Sequence, residues 1–127
     1  CITVIDDYAH HPTEIQATLD AATNYPHKRL VLVFQPHTYT RTKALFDDFV
    51  RELKKVDVLV LAEIYAARER NTVGISSMDL QKEIPGSVYC KTLPEVTEYL
   101  RTIAGEGDVV LTVGAGDIFR AGEALLK

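Results

Sequence analysis

Residues 30–34 read Leu-Val-Leu-Val-Phe, and residues 109–113 read Val-Val-Leu-Thr-Val. Aliphatic runs without polar alternation suit strands buried on both faces, the setting of a parallel sheet between two helical layers. Further β-runs at 2–6, 56–62 and 87–90 alternate with helical patterns. A β-α-β-α order needs right-handed crossovers. The expectation is therefore an α/β protein, a three-layer α/β/α, Rossmann-like, doubly wound and mostly parallel sheet. A chain of 127 residues supplies one such domain.

The helical patterns are specific. Pro12 takes a favoured first-turn position of a helix over 12–23, with Ile15, Leu19 and Ala22 on one face. One helix over 42–55 aligns Leu45, Phe46, Phe49, Val50 and Leu53. Ser76 caps a short helix, and Thr92 with Glu95 forms a capping-box pattern that opens a helix through Ile103. The last helix covers 117–127, with Ile118, Phe119, Leu125 and Leu126 inward. The long connection 63–74 holds Glu63, Tyr65, Arg68, Glu69, Arg70 and Asn71. It is either a solvated loop or one that folds over a ligand or a neighbouring domain.

Charge narrows the partners. A net charge of −4 gives no long-range attraction to nucleic acid or to anionic lipid, and neither is expected as a partner. No stretch approaches the roughly 20 apolar residues of a membrane span, and none reads as a signal peptide. Cys1 and Cys90 lie far apart without CxxC spacing, so both are expected as small buried hydrophobes. The chain opens on Cys1 inside a β-run, and its sole methionine is Met78. A domain cut from a longer polypeptide is the expectation.

Polar clusters follow three of the β-runs, where ligand contacts gather in parallel sheets. Asp6 and Asp7 close the first run. Paired acids there also occur in phosphorylation receivers, but the third run ends in Leu61-Ala62-Glu63 and the fifth enters Gly114-Ala115-Gly116, which lack the required Asp and Lys. Successive strand residues point oppositely, so the two acids have different jobs: one accepts backbone N–H groups at the turn and the other faces the crevice. His11 precedes Pro12 and is expected to cap the helix locally. His10 is the better crevice residue, as a hydrogen-bond donor or a base near an amine. A metal would need His10 or His11 with His37 and a carboxylate, but no third ligand stands at recognisable spacing and none is expected. Arg41 offers a planar fork for a carboxylate or phosphate, while Tyr39 is expected to pack. The Gly114-Ala115-Gly116-Asp117 turn lets backbone approach a ligand but completes neither GxGxxG nor GxxxxGK[ST].

Taken together and in order, four segments resemble the C-terminal domain of the Mur ligases, specifically the members that join L-alanine to UDP-N-acetylmuramate in peptidoglycan synthesis. They are Asp6-Asp7-Tyr8-Ala9-His10-His11-Pro12-Thr13-Glu14, Phe34-Gln35-Pro36-His37-Thr38-Tyr39-Thr40-Arg41-Thr42, Ile64-Tyr65-Ala66-Ala67-Arg68-Glu69 and Thr112-Val113-Gly114-Ala115-Gly116-Asp117-Ile118. The resemblance covers essentially all of residues 1–127. It implies a three-domain cytoplasmic ligase. The first domain binds the sugar nucleotide, the second holds the phosphate loop and the Mg²⁺ ligands, and the third receives the amino acid and closes over ATP. ATP phosphorylates the sugar's lactyl carboxylate, and the amine of alanine then attacks the acyl phosphate.

By this resemblance Tyr8, His10, His37 and Arg41 line the alanine pocket, with Arg41 pairing the carboxylate and His10 serving catalysis at the amine. Asp7 faces the nucleotide, at the ribose. The first, fifth and second strands are neighbours, which gathers the opening motifs at one crevice. The isolated domain is expected to be inactive, because it contains no phosphate loop and no evident Mg²⁺ cage, and to bind alanine and ATP weakly, because each pocket is completed by another domain. Two departures stand out: Thr38 occupies a position where many relatives have arginine, and the relatives' antiparallel edge strand has no counterpart in these residues. The alternatives are a murein-recycling ligase that adds a peptide, which shares His-His-Pro, and a free-standing nucleotide- or amino-acid-binding module.

Overall fold

The computed structural model describes residues 2–127, so the expectation for Cys1 lies outside the described residues. Among the described residues five strands form one all-parallel sheet: β1 (Thr3–Asp7), β2 (Arg29–Phe34), β3 (Val58–Ala62), β4 (Val88–Cys90) and β5 (Asp108–Val113), in the order β1-β5-β2-β3-β4. The β1-β5-β2 neighbourhood expected from the resemblance is present. β1 begins one residue later than its apolar run and forms a sheet edge, whereas β3 loses Val56 and Asp57 at its start.

Side-chain alternation in the central strands sorts two cores. Leu30, Leu32 and Phe34 of β2 point to one face with Leu59, Leu61, Leu111 and Val113. They are covered by Ile15 and Leu19 of α1 (Pro12–Thr23), Phe49 and Leu53 of α3 (Phe46–Leu53), and Leu80 of α4 (Ser77–Glu83). Val31, Val33, Val60 and Val110 point the other way, under Val96 and Leu100 of α5 (Leu93–Ile103) and Ala121 of α6 (Phe119–Leu125). Fully burying one such side chain contributes about 1.5–3 kcal/mol, so both layers are needed to hold the sheet. The three-layer expectation is met.

Local chemistry sets the helix starts. His11 Nδ1 accepts the Thr13 N–H at 3.2 Å and Glu14 accepts the N–H of His11 at 3.1 Å, a reciprocal cap ahead of Pro12. Ser76 and Asp79 close the same kind of box on α4. On α5, Thr92 accepts from Glu95, but the Glu95 carboxylate takes the N–H of Lys91, so the box is only half formed. Cys90 is buried, and burial raises its thiol pKa.

Two helices differ from expectation. Residues 42–55 do not form one helix: α2 (Tyr39–Ala44) starts earlier, Leu45 leaves helical geometry at φ −110° and ψ 21°, and α3 follows. Thr38 caps α2, while the axis of α3 is set by Phe49 packing on Phe34 with ring centroids 5.5 Å apart. In α6, Ile118 and Leu125 pack inward, but Phe119 and Leu126 are exposed. Ala121 and Gly122 take the sheet-facing places, because a Cβ on Gly122 would stand 2.8 Å from Val4 Cγ1.

Candidate functional site

The chain reverses its march across the sheet at β4, returning to insert β5 between β1 and β2. Helices α1 and α3 cover one face and α6 the other, so connections leave β5 and its neighbours to opposite sides. Crevices open at the carboxyl ends of strands at such a reversal. The ends of β1, β5 and β2 carry residues 6–12, 114–117 and 35–41.

Tyr8, His10, His37 and Arg41, which the sequence singled out, are brought together. The rings of Tyr8 and His10 meet edge-on at 5.9 Å, and His10 and His37 lie 5.9 Å apart. Arg41 Nη1 lies 3.3 Å from His37 Nδ1. Tyr8 stands well out of the surface at 68% exposure, an apolar ring that only a ligand or another surface would cover.

The partners of the two histidines fix which nitrogens are free. His10 Nδ1 lies 3.1 Å from the Tyr8 carbonyl oxygen, which only accepts, so Nδ1 carries hydrogen and, in the neutral ring, Nε2 accepts. Glu14 Oε1 is 3.6 Å from the same Nδ1 and accepts the His10 N–H. Those backbone bonds, led by that of His10, hold the Glu14 carboxyl below its usual range. His37 has the opposite arrangement. The Arg41 guanidinium only donates, so His37 Nδ1 accepts and Nε2 carries hydrogen. Burial, the Arg41 charge and His10 together lower the His37 pKa.

Asp7 and Asp6 have different partners. Asp7 accepts the Ala9 N–H at 2.8 Å and the Thr18 hydroxyl at 3.1 Å, binding the β1 turn to α1. Asp6 accepts the Thr112 hydroxyl at 2.8 Å and is exposed. His11 is a cap, as anticipated.

Tyr65 and Glu69, named in the sequence as part of the long connection and of one resembling segment but given no role in the pocket, lie against these residues. Tyr65 stacks on His37 with centroids 5.7 Å apart and planes 14° apart. The two residues form a parallel β-bridge, with Thr38 N–H donating to Tyr65 O and Tyr65 N–H to Pro36 O, both at 2.8 Å. Thr38 sits at φ 66° and ψ 147°, a conformation a β-branched residue adopts only when its surroundings impose it. The connection is anchored at its start by Glu63. Burial opposes its ionisation, but the Ser77 N–H, Ser76 hydroxyl, Ile64 N–H and Tyr89 hydroxyl outweigh that and lower its pKa. Burial and Glu63 in turn push the Tyr89 hydroxyl up to about 12.

The glycine turn supports the same edge. A Cβ on Gly114 would meet the Gln35 carbonyl at 2.9 Å, and one on Gly116 would stand 2.6 Å from the Tyr65 ring. The Gln35 amide donates to Asp117 at 3.0 Å, while its buried oxygen has no partner. Among the described residues no three His, Cys, Asp or Glu side chains converge as metal ligands. No described helix is long and apolar enough to cross a membrane.

Fold and site define a Rossmann-like α/β domain with Tyr, His and Arg side chains gathered at the carboxyl edge of its sheet. The family model "Mur ligase, glutamate ligase domain" matches residues 1–116, and the chain belongs to the Mur ligase family. It is 54% identical over 130 aligned positions to the UDP-N-acetylmuramate–L-alanine ligase of Clostridium acetobutylicum, covering 99% of this chain and 28% of that relative. The chain thus spans about 28% of the length of the curated relatives it matches. In structure it is similar to a UDP-N-acetylmuramate–alanine ligase from Thermotoga maritima, with TM-score 0.75 and 30% identity over 98% of this chain and 26% of that one. The fold is shared with a MurF ligase of the same organism in complex with ADP, with TM-score 0.67 and 18% identity over 98% of this chain and 28% of that one.

Proposed function

We propose that this chain is the amino-acid-receiving C-terminal domain of an ATP-dependent ligase that joins L-alanine to UDP-N-acetylmuramate through an acyl phosphate. The observation that carries the reading is the facing pair His10 and His37 beside Arg41, with one free acceptor and two kinds of donor at one crevice. The names of relatives at about half identity support the choice of amino acid.

Each residue has a distinct task. Arg41 and the His37 Nε2–H hold the alanine carboxylate through charge-assisted and neutral bonds. His10 Nε2 accepts hydrogen from the amine, orienting its lone pair and taking the proton as the bond forms. The amine nitrogen bonds the acyl carbon, the carbon–oxygen bond to phosphate breaks, and inorganic phosphate leaves. Tyr8 covers the bound amino acid. Asp7 keeps one lone pair on each oxygen and faces the ribose of ATP. Mg²⁺, when bound, would supply charge neutralisation at the phosphates, held by residues of the complete ligase's central domain.

The test is product formation by the complete ligase with L-alanine, other amino acids and a murein tripeptide supplied in turn. L-alanine should give by far the largest kcat/KM. A preference for the tripeptide would replace this reading with the recycling ligase. The isolated domain should release no ADP, since it carries no phosphate loop.

A further inference from the structure

Helix α2 carries Arg41 yet has little to hold it in place. It has six residues, of which only Thr42 is buried, and it ends in the break at Leu45. A single turn of this kind does not persist on its own propensity. Besides the Thr38 side-chain cap at 3.4 Å, its amino end is fastened from outside. Glu69 Oε1 accepts the N–H groups of Tyr39 at 2.7 Å and Thr40 at 3.2 Å, and Glu69 Oε2 accepts the Thr40 hydroxyl at 2.5 Å. We propose that Glu69 is a positioning residue for the amino-acid subsite: it clamps α2 to the β3–α4 connection and so aims Arg41 at His37.

Three observations make the connection a firm support for that clamp. Glu63 ties its start to Ser76, Ser77 and Tyr89. Asn71 exchanges two bonds with Ile75 at its far end. Between them Ala67 and Arg68 take positive φ angles of 50° and 74°, which turn Glu69 back towards α2. Such backbone persists only where its surroundings over-determine it. The same connection carries Tyr65, so one segment holds His37 by its stacked ring and Arg41 through α2. The Thr40 hydroxyl, burial, the two N–H groups and the Arg41 charge act on the Glu69 carboxyl, and the net effect lowers its pKa.

The inference rests on the alanine subsite proposed above, and its test separates the two. Glu69→Ala, Glu69→Gln, Arg41→Ala and the Glu69→Ala/Arg41→Ala pair would be made in the complete ligase. Alanine KM and kcat would be measured with deuterium uptake across residues 37–44. Glu69→Ala should raise uptake there and raise the alanine KM about tenfold with little change in kcat. Glu69→Gln should restore most of both, because its amide oxygen still accepts the two N–H groups. In the Arg41→Ala background, Glu69→Ala should add almost nothing to KM.

Unchanged uptake in Glu69→Ala refutes the clamp whatever the kinetics. Raised uptake with unchanged alanine KM, while Arg41→Ala raises it, refutes positioning and leaves the subsite standing. An equal KM effect of Glu69→Ala with and without Arg41 also refutes it. An unchanged alanine KM in Arg41→Ala removes the subsite and this inference together.

Discussion

His10 and His37 face each other at 5.9 Å with opposite hydrogen placements: the Tyr8 carbonyl leaves His10 an accepting Nε2, and Arg41 leaves His37 a donating one. An amino acid carries an acceptor and a donor separated by one carbon, so this pair matches its two ends.

The pairing makes His37 a pH-sensitive group with a definite sign. Burial first, then the Arg41 charge and His10, lower its pKa in the folded protein. A lowered pKa means that its contribution to stability is complete above the unfolded value near 6.5. That contribution is lost as pH falls through the folded value. Arg41→Ala should move the His37 titration upward, measurable from the imidazole resonances of the domain. A titration that does not move would show that the two side chains do not interact.

His10→Ala should act on chemistry more than on binding. If Nε2 accepts the amine proton, its loss should lower kcat roughly 100-fold, at the low end for general base catalysis, with a smaller rise in alanine KM. Equal Tm values for mutant and parent would exclude simple unfolding as the cause. A change confined to KM would assign His10 to binding alone.

Gly116→Ala tests the link between the glycine turn and the site. The new Cβ would lie 2.6 Å from the Tyr65 ring and 2.8 Å from the Gln35 amide oxygen, so the ring must move. Overpacking of this kind costs about 1–3 kcal/mol. The mutant should melt lower and lose the proton contacts between Tyr65 and His37 in NMR spectra. Retention of those contacts would count against the packing described.

Tyr89→Phe removes the hydroxyl that donates to Glu63 at 2.8 Å. It should cost about 1 kcal/mol in denaturant unfolding. The Glu63 carboxyl, losing one of four donors, should then titrate higher. Because its pKa is lowered in the folded state, its contribution is present above about pH 4.5 and lost on acidification. An unchanged unfolding midpoint would remove Tyr89 from the anchor.

The strands were legible because Leu, Val and Phe fill both faces of β2 and β5, and three of the helix caps were legible because their residues are adjacent in sequence. The break at Leu45 was not. Leu45, Phe46, Phe49 and Val50 keep a helical period across it, and the early start at Tyr39 depends on Thr38 and on Glu69. The outward turn of Phe119 was hidden for a related reason, since the approach of Val4 reserves the inner place for Gly122. In the site, Tyr8, His10, His37 and Arg41 were readable from motifs at strand ends. The roles of Tyr65 and Glu69 were not, because their contacts join segments far apart in the chain.

The most direct test is Arg41→Ala in the complete ligase, with L-alanine and ATP varied separately. Loss of a charge-assisted pair should cost about 1.5–3 kcal/mol, a tenfold to hundredfold fall in kcat/KM for alanine. The KM for ATP should stay near that of the parent. An unchanged alanine KM together with a Tm lowered by several degrees would contradict the account and leave Arg41 a structural residue at the start of α2.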